Sequence, residues 1–149
     1  MYPYQQINII GSFLRFTYIE NEGIAFGLDT SQYHIYITIL TFLAIFLIIY
    51  YYLNLEDNSS YEKIPILFII GGAIGNAIDR LLVLIPSSNY KGVIDFIDMP
   101  NFLYYIGIMN NSRWFIFNIA DCSITIGVVL YFILQYKIVK NTNEHSRNI

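Results

Sequence analysis

Apolar positions fall into three long runs, about 33–53, about 64–85 and about 114–136, separated by stretches in which polar residues dominate. Each run reaches the roughly 20 residues that a helix needs to cross a hydrocarbon core, so the pattern predicts three transmembrane helices. The first, Tyr33 to Leu53, is almost uncharged and ends in Tyr50-Tyr51-Tyr52, whose amphipathic rings suit the headgroup level. His34 at its start is a lone boundary histidine and receives no role. The second run carries Asn76, Asp79 and Arg80, and the third carries Asn118 and Asp121. An ionisable side chain inside a spanning helix costs roughly 2.5–3.5 kcal/mol on insertion scales and faces a partner or a polar cavity. Phe117-Asn118-Ile119-Ala120-Asp121 is therefore the stretch whose polarity demands an explanation.

The intervening segments fix what those polar groups can meet. Residues 1–30 are too polar to span; Phe13 to Ile19 is rich in aromatic and β-branched residues and predicts a short strand, with Asn21-Glu22-Gly23 as a turn signal after it. This predicts a small extended platform against the membrane surface. Asn54 to Lys63 reads as a solvated acidic loop. Residues 86–113 form a long loop containing Val93-Ile94-Asp95-Phe96-Ile97-Asp98. If extended, alternation puts Asp95 on the face of Val93 and Ile97, and Asp98 on the face of Ile94 and Phe96. The two carboxylates then point different ways, and Asp98, just ahead of Pro100, reads as a surface or turn carboxylate.

Within the second run, which is expected to begin after Pro65, Gly71 and Gly75 form a small-xxx-small pair that lets another helix come close. Asn76, Asp79 and Arg80 share one helical face, and the adjacent Asp and Arg could neutralise each other as a buried ion pair. The third run opens at Trp114, an interface anchor, and clusters Asn118, Asp121, Cys122 and Thr125 on one face. Residues 137–149 read as a polar tail. With Lys137, Lys140 and Arg147 it is the most basic flank, which places it in the cytoplasm.

Composition narrows the function. With 56% apolar and 13% charged residues in 149, the chain is an all-α integral membrane protein carrying a small β-platform rather than a soluble globule. A net charge of −3 without a basic block gives no reason to expect nucleic acid. A single cysteine, Cys122, excludes an internal disulfide framework and reads as a small core residue. No His/Cys cluster suggests a metal, no cofactor is implied, and neither histidine has a plausible Ser and acid partner. What remains is carboxylate chemistry. Asp79 and Arg80 lie near the end of the second run, Asn118 and Asp121 near the start of the third, and both flank the loop that carries Asp95. Asp95 and Asp121 can therefore meet, with Asn76, Arg80 and Asn118 as hydrogen-bonding neighbours. Two carboxylates about 3 Å apart share a proton, so one activates water while the other donates to the reacting carbonyl oxygen. The alternative is a non-enzymatic membrane subunit in which Asp79, Arg80 and Asp121 form structural ion pairs.

Four blocks in order resemble a known family, lipoprotein signal peptidase or signal peptidase II. They are Asn21-Glu22-Gly23-Ile24-Ala25-Phe26-Gly27, then Gly71-Gly72-Ala73-Ile74-Gly75-Asn76-Ala77-Ile78-Asp79-Arg80, then Val93-Ile94-Asp95-Phe96, then Phe117-Asn118-Ile119-Ala120-Asp121. The resemblance implies an aspartic endopeptidase of the bacterial cytoplasmic membrane. It would cleave the signal peptide from prolipoproteins before a diacylglyceryl-modified cysteine, with its active site towards the extracytoplasmic face. By position, Asp95 and Asp121 match the catalytic dyad, Asn21, Asn76, Arg80 and Asn118 match residues that position substrate and support the dyad, and Asp79 is structural. The family's partners would be diacylglyceryl-modified prolipoproteins, membrane lipids and globomycin-type inhibitors. Its members usually begin with one more transmembrane helix, bearing an Asp and a Lys, whereas this sequence opens at Met1-Tyr2-Pro3. The expectation is thus three spans where the family has four, in a single membrane-embedded domain over 1–149 with a platform at 1–30 and a cytoplasmic tail at 137–149. Truncation or an internal start would explain the difference. Cys122 stands where a serine is common.

Overall fold

The computed structural model describes residues 3–22, 33–55 and 60–147. Of the family-like blocks, the part at residues 23–27 lies outside them. Three long helices form the body: α1 (His34–Leu53), α2 (Ser60–Val83) and α4 (Ile119–Arg147). Each contains a segment long and apolar enough to cross a membrane, namely His34–Leu53, Lys63–Val83 and Ile119–Lys140, with mean hydropathies of 2.2, 1.8 and 1.8. Their large side chains, such as Phe46, Leu67 and Phe132, stay exposed on the bundle, the arrangement expected where lipid rather than protein solvates them.

The main helix packing is α2 against α4, with α1 lying on α2. Two glycines make the close approach possible, one from each partner. A Cβ on Gly72 would run into the backbone carbonyl of Ala120 and approach Ile124 Cγ1 to 2.8 Å. On α4, a Cβ on Gly127 would sit 2.6 Å from the Pro65 carbonyl oxygen and 2.7 Å from Ile69 Cγ1. The expected Gly71–Gly75 pair is therefore half right. Gly75 faces Ala120, whose Cβ would lie 3.2 Å away, but Gly71 meets nothing within 4 Å and points away from the contact. Spacing identified a small-residue stripe, whereas the rotation of the helix decides which residues of it face the neighbour.

Two helix boundaries also differ from the hydropathy reading. α2 begins at Ser60 and runs through Pro65; the lost N–H falls near the helix start, and the proline is fully buried where α4 presents Gly127. At the other end, α4 continues to Arg147, so the segment read as a polar tail is helical.

On one side of the bundle lies a three-stranded antiparallel sheet in the order β1 (Gln6–Ile10), β2 (Leu14–Asn21), β3 (Val93–Asp98). The expected strand at Phe13–Ile19 is β2, and β3 is extended as alternation required. A register shift in β2 between Phe16 and Ile19 pairs Arg15 with Asp98 but Ile19 with Asp95. This bulge moves the cross-strand partner of Asp95 from Tyr18, where the register of Arg15 with Asp98 would put it, to Ile19. Beyond β3 the chain turns through the four-residue helix α3 (Phe102–Tyr105) and returns alongside β3. There the Ile97 N–H donates to Phe117 O at 2.7 Å and the Phe117 N–H donates to Ile97 O at 3.2 Å. The segment ahead of α4 is thus extended and sheet-bonded, not the first turns of a helix beginning at Trp114.

Candidate active site

The reason α4 starts at Ile119 is chemical. Asn118 Oδ1 accepts the backbone N–H of Asp121 at 2.9 Å, while Asp121 Oδ2 accepts the backbone N–H of Asn118 at 3.2 Å. This is a reciprocal capping box: the residue before the helix and the third residue inside it satisfy each other's orphan donors. Asp121 is therefore not a carboxylate in mid-span. It occupies the first turn, at the helix N-terminus, where the macrodipole is positive.

From this cap a chain of amides leads to the second carboxylate. Asn118 uses both hydrogens of its Nδ2, one to Asp95 Oδ1 at 2.8 Å and one to Asn76 Oδ1 at 3.0 Å. Asn76 in turn donates from Nδ2 to Asp121 Oδ1 at 2.8 Å. On the far side Asn21, the last residue of β2, donates from Nδ2 to Asp95 Oδ2 at 3.0 Å. Asp95 and Asp121 are thus held by amides that link them to each other and to three elements of the fold. Asp95 is only 2% exposed, and Asn118 and Asn76 are buried with it.

Burial pushes the Asp95 carboxyl up from 3.8 to about 6, and the neighbouring Asp121 charge adds to the rise. Hydrogen bonds from Asn21 and Asn118 and the charge of Arg80 pull in the other direction without cancelling it. A carboxyl that titrates near neutrality can exchange a proton at working pH. Two carboxylates surrounded by amide donors form a site for moving protons around a polarised carbonyl.

Arg80 and Asp79 have separate tasks. The proposed ion pair between them is not formed: Asp79 Oδ2 accepts the backbone N–H of Ile94 at 3.1 Å, and Arg80 Nη1 donates to the Asn76 carbonyl at 3.4 Å. Asp79 therefore docks β3 onto α2 one residue before Asp95. Arg80 supplies positive charge within electrostatic reach of Asp121, Asp95 and Asp79. Adjacent residues on a helix point about 100° apart, so a shared sector did not require a shared bond.

Asp98 is the plainest correction. Far from being a surface carboxylate, it is 4% exposed. Its Oδ1 accepts Arg113 Nε at 2.7 Å, its Oδ2 accepts Thr17 Oγ1 at 3.0 Å, and Arg15 Nε lies 3.4 Å from Oδ2. These partners are remote in sequence, and no local pattern signals them. The helix start at Asn118 did carry a signal, the Asn-x-x-Asp spacing of a capping box.

Comparison with known proteins places the chain in a family. A family model described as signal peptidase (SPase) II matches residues 1–137. The lipoprotein signal peptidase of Borreliella burgdorferi (strain ZS7) is 36% identical over 127 residues, covering 83% of this chain and 68% of that protein. That of Clostridium tetani (strain Massachusetts / E88) is 34% identical over 145 residues, covering 97% and 81%. A solved bacterial membrane enzyme, determined by the in meso method at 2.3 Å, superposes with a TM-score of 0.70 at 31% identity, covering 95% of this chain and 76% of that one. With three helices among the described residues long and apolar enough to cross a membrane, this is a multi-pass protein of the bacterial inner membrane, and the chain belongs to the signal peptidase II family.

Proposed function

We propose that this chain removes signal peptides from prolipoproteins by aspartic catalysis, with Asp95 and Asp121 as the proton-sharing pair. The observation that carries the reading is the amide bridge Asp95–Asn118–Asn76–Asp121, which holds two carboxylates at one helix terminus. Asp95, whose carboxyl titrates at about 6, is the member suited to hold the shared proton; the apparent values belong to the pair. In the reaction Asp121 takes a proton from water, the water oxygen attacks the scissile carbonyl, and Asp95 donates its proton to the carbonyl oxygen. Collapse of the tetrahedral adduct breaks the C–N bond, and the amine leaves with a proton returned by the pair. Asn21, Asn76, Arg80 and Asn118 support the dyad, and Asp79 positions β3.

On the family resemblance, the cleavage point is the bond before a diacylglyceryl-modified cysteine, reached from the extracytoplasmic face with the substrate's acyl chains in the surrounding lipid. The same resemblance assigns globomycin-type peptides as inhibitors; residues 1–149 are read as one peptidase domain, with 1–30 outside and, from its basic flank, 137–149 in the cytoplasm. The test is processing of a lipidated precursor by Asp95→Asn and Asp121→Asn. Each is expected to abolish cleavage while accumulating in the membrane; full activity in either removes the dyad assignment.

A further inference from the structure

Asp95 and Asp98 lie on opposite faces of β3, and both are paired with the segment that leads into α4. Asp95 meets Asn118, and Asp98 meets Arg113. The two contacts lie beside two short backbone bridges, Ile97 with Phe117 and Pro100 with Arg113. Between them runs the bond from the Ile97 N–H to Phe117 O at 2.7 Å, and just past Asp98 the Trp114 N–H donates to Met99 O at 3.0 Å. The Arg113 guanidinium is a three-way tie: Nε goes to Asp98 Oδ1, Nη2 to the Asp98 carbonyl at 2.8 Å, and Nη1 to the Ser12 carbonyl at 2.8 Å in the β1–β2 turn. Thr17 and Arg15 of β2 close on the other carboxylate oxygen.

We infer that the Asp98–Arg113 clasp is a positioning device that sets the register between β3 and the segment before α4, and thereby holds Asp95 within reach of Asn118. The inference rests on Asp95 being catalytic. A buried ion pair is a poor source of stability, because desolvation offsets much of its attraction, but its fixed geometry can specify a register. Arg113 suits the task because its planar fork grips a side chain and a backbone carbonyl of the same residue, which a lysine cannot do. Without the clasp, the 113–118 segment is free to shift along β3, and the 2.8 Å bond from Asn118 to Asp95 lengthens or breaks. The groups facing Asp95 are then Asn21 of β2, Arg80 of α2 and Asp121 of α4, with one charge-stabilising donor lost. The Asp95 titration therefore moves upward.

The experiment compares four clasp variants, Asp98→Asn, Arg113→Met, the double variant and the milder Thr17→Val, together with the conservative Arg113→Lys, with wild type in detergent, using cleavage of a lipidated precursor peptide per folded enzyme. Folded fraction is taken from thermal unfolding. For Asp98→Asn and Arg113→Met the expected result is a fall in kcat of about 10- to 100-fold, the scale of a catalytic group displaced by an ångström. KM should stay within about twofold, since such a loss falls on the chemical step. The pH limb governed by Asp95 should move to higher pH, the double variant should be little worse than either single one, and Arg113→Lys should restore only part of the rate. Thr17→Val is expected to move kcat the same way by a smaller factor. A wild-type kcat and pH profile in the folded single variants overturns the inference, as does a loss of activity that only follows loss of folded protein in all four. Asp95→Asn, run in parallel, separates the levels. An inactive Asp95→Asn beside unaffected clasp variants removes the clasp alone, whereas an active Asp95→Asn removes the dyad and the clasp with it.

Discussion

Asn118 does two jobs with opposite ends of one amide, and substitution can separate them. Its Oδ1 caps α4, and its Nδ2 feeds Asp95 and Asn76. In Asn118→Ala the cap is lost, at about 1 kcal/mol, and two buried acceptors each lose a donor, at about 1–3 kcal/mol apiece. The expected destabilisation is therefore about 3–7 kcal/mol, a large share of the roughly 5–15 kcal/mol by which domains are typically stable. In Asn118→Ser the hydroxyl still caps, so this variant should be about 1 kcal/mol more stable than the alanine one. Serine is too short to reach Asp95 and Asn76 together, so catalysis should fall about 100-fold in both. The assay pairs thermal unfolding in detergent with cleavage of a diacylglyceryl-modified precursor peptide. Identical melting of the two variants would refute the capping role, and wild-type turnover in Asn118→Ser would refute the donor role.

Two further outcomes follow from the same geometry. The Asp95 carboxyl is raised to about 6 in the folded protein against 3.8 as its ordinary value, so its ionised form is disfavoured by folding. That penalty is present in full above pH 6 and fades as pH falls from 6 towards 4. Relative to wild type, Asp95→Asn should accordingly be more stable at pH 7–8 than near pH 4; a pH-independent difference in unfolding temperature would contradict the assignment. In the helix contact, Gly71→Ala should leave the unfolding temperature nearly unchanged, whereas Gly72→Ala, pressed on Ala120 and Ile124, should lower it clearly. Equal effects would mean that α2 is rotated from its described position.

The spans were legible because continuous apolar runs of that length have few other uses, and the opposite orientations of Asp95 and Asp98 followed from the period of a strand. What hydropathy hid was the start of α4. Trp114 to Phe117 is as apolar as the helix that follows, so no window over composition marks the break; the break is made by hydrogen bonds, from Phe117 to Ile97 and within the Asn118–Asp121 cap. Asp98 was misread for a different reason. Its burial depends on Thr17, 81 residues away, and on the arginines at 15 and 113, and nothing local distinguishes a clasped carboxylate from a solvated one. Asp79 and Arg80 show the limit of face-sharing arguments, since each found a backbone partner instead of the other.

The placement of Asp121 in the first turn of α4 makes the helix a ruler. Its apolar segment, Ile119–Lys140, is 22 residues long, or about 33 Å at 1.5 Å per residue, close to the hydrocarbon thickness of a bilayer. The third residue of that segment lies only about 3–5 Å below its outer end. With Asp121 in the proposed dyad, hydrolysis would be pinned to one depth, where an anchored substrate's acyl chains could stay in the bilayer while water arrived without crossing it. Adding one helical turn of apolar residues at the outer end of α4 would leave the chemistry intact and move it about 5 Å relative to the lipid, changing which bond of an anchored precursor comes level with it.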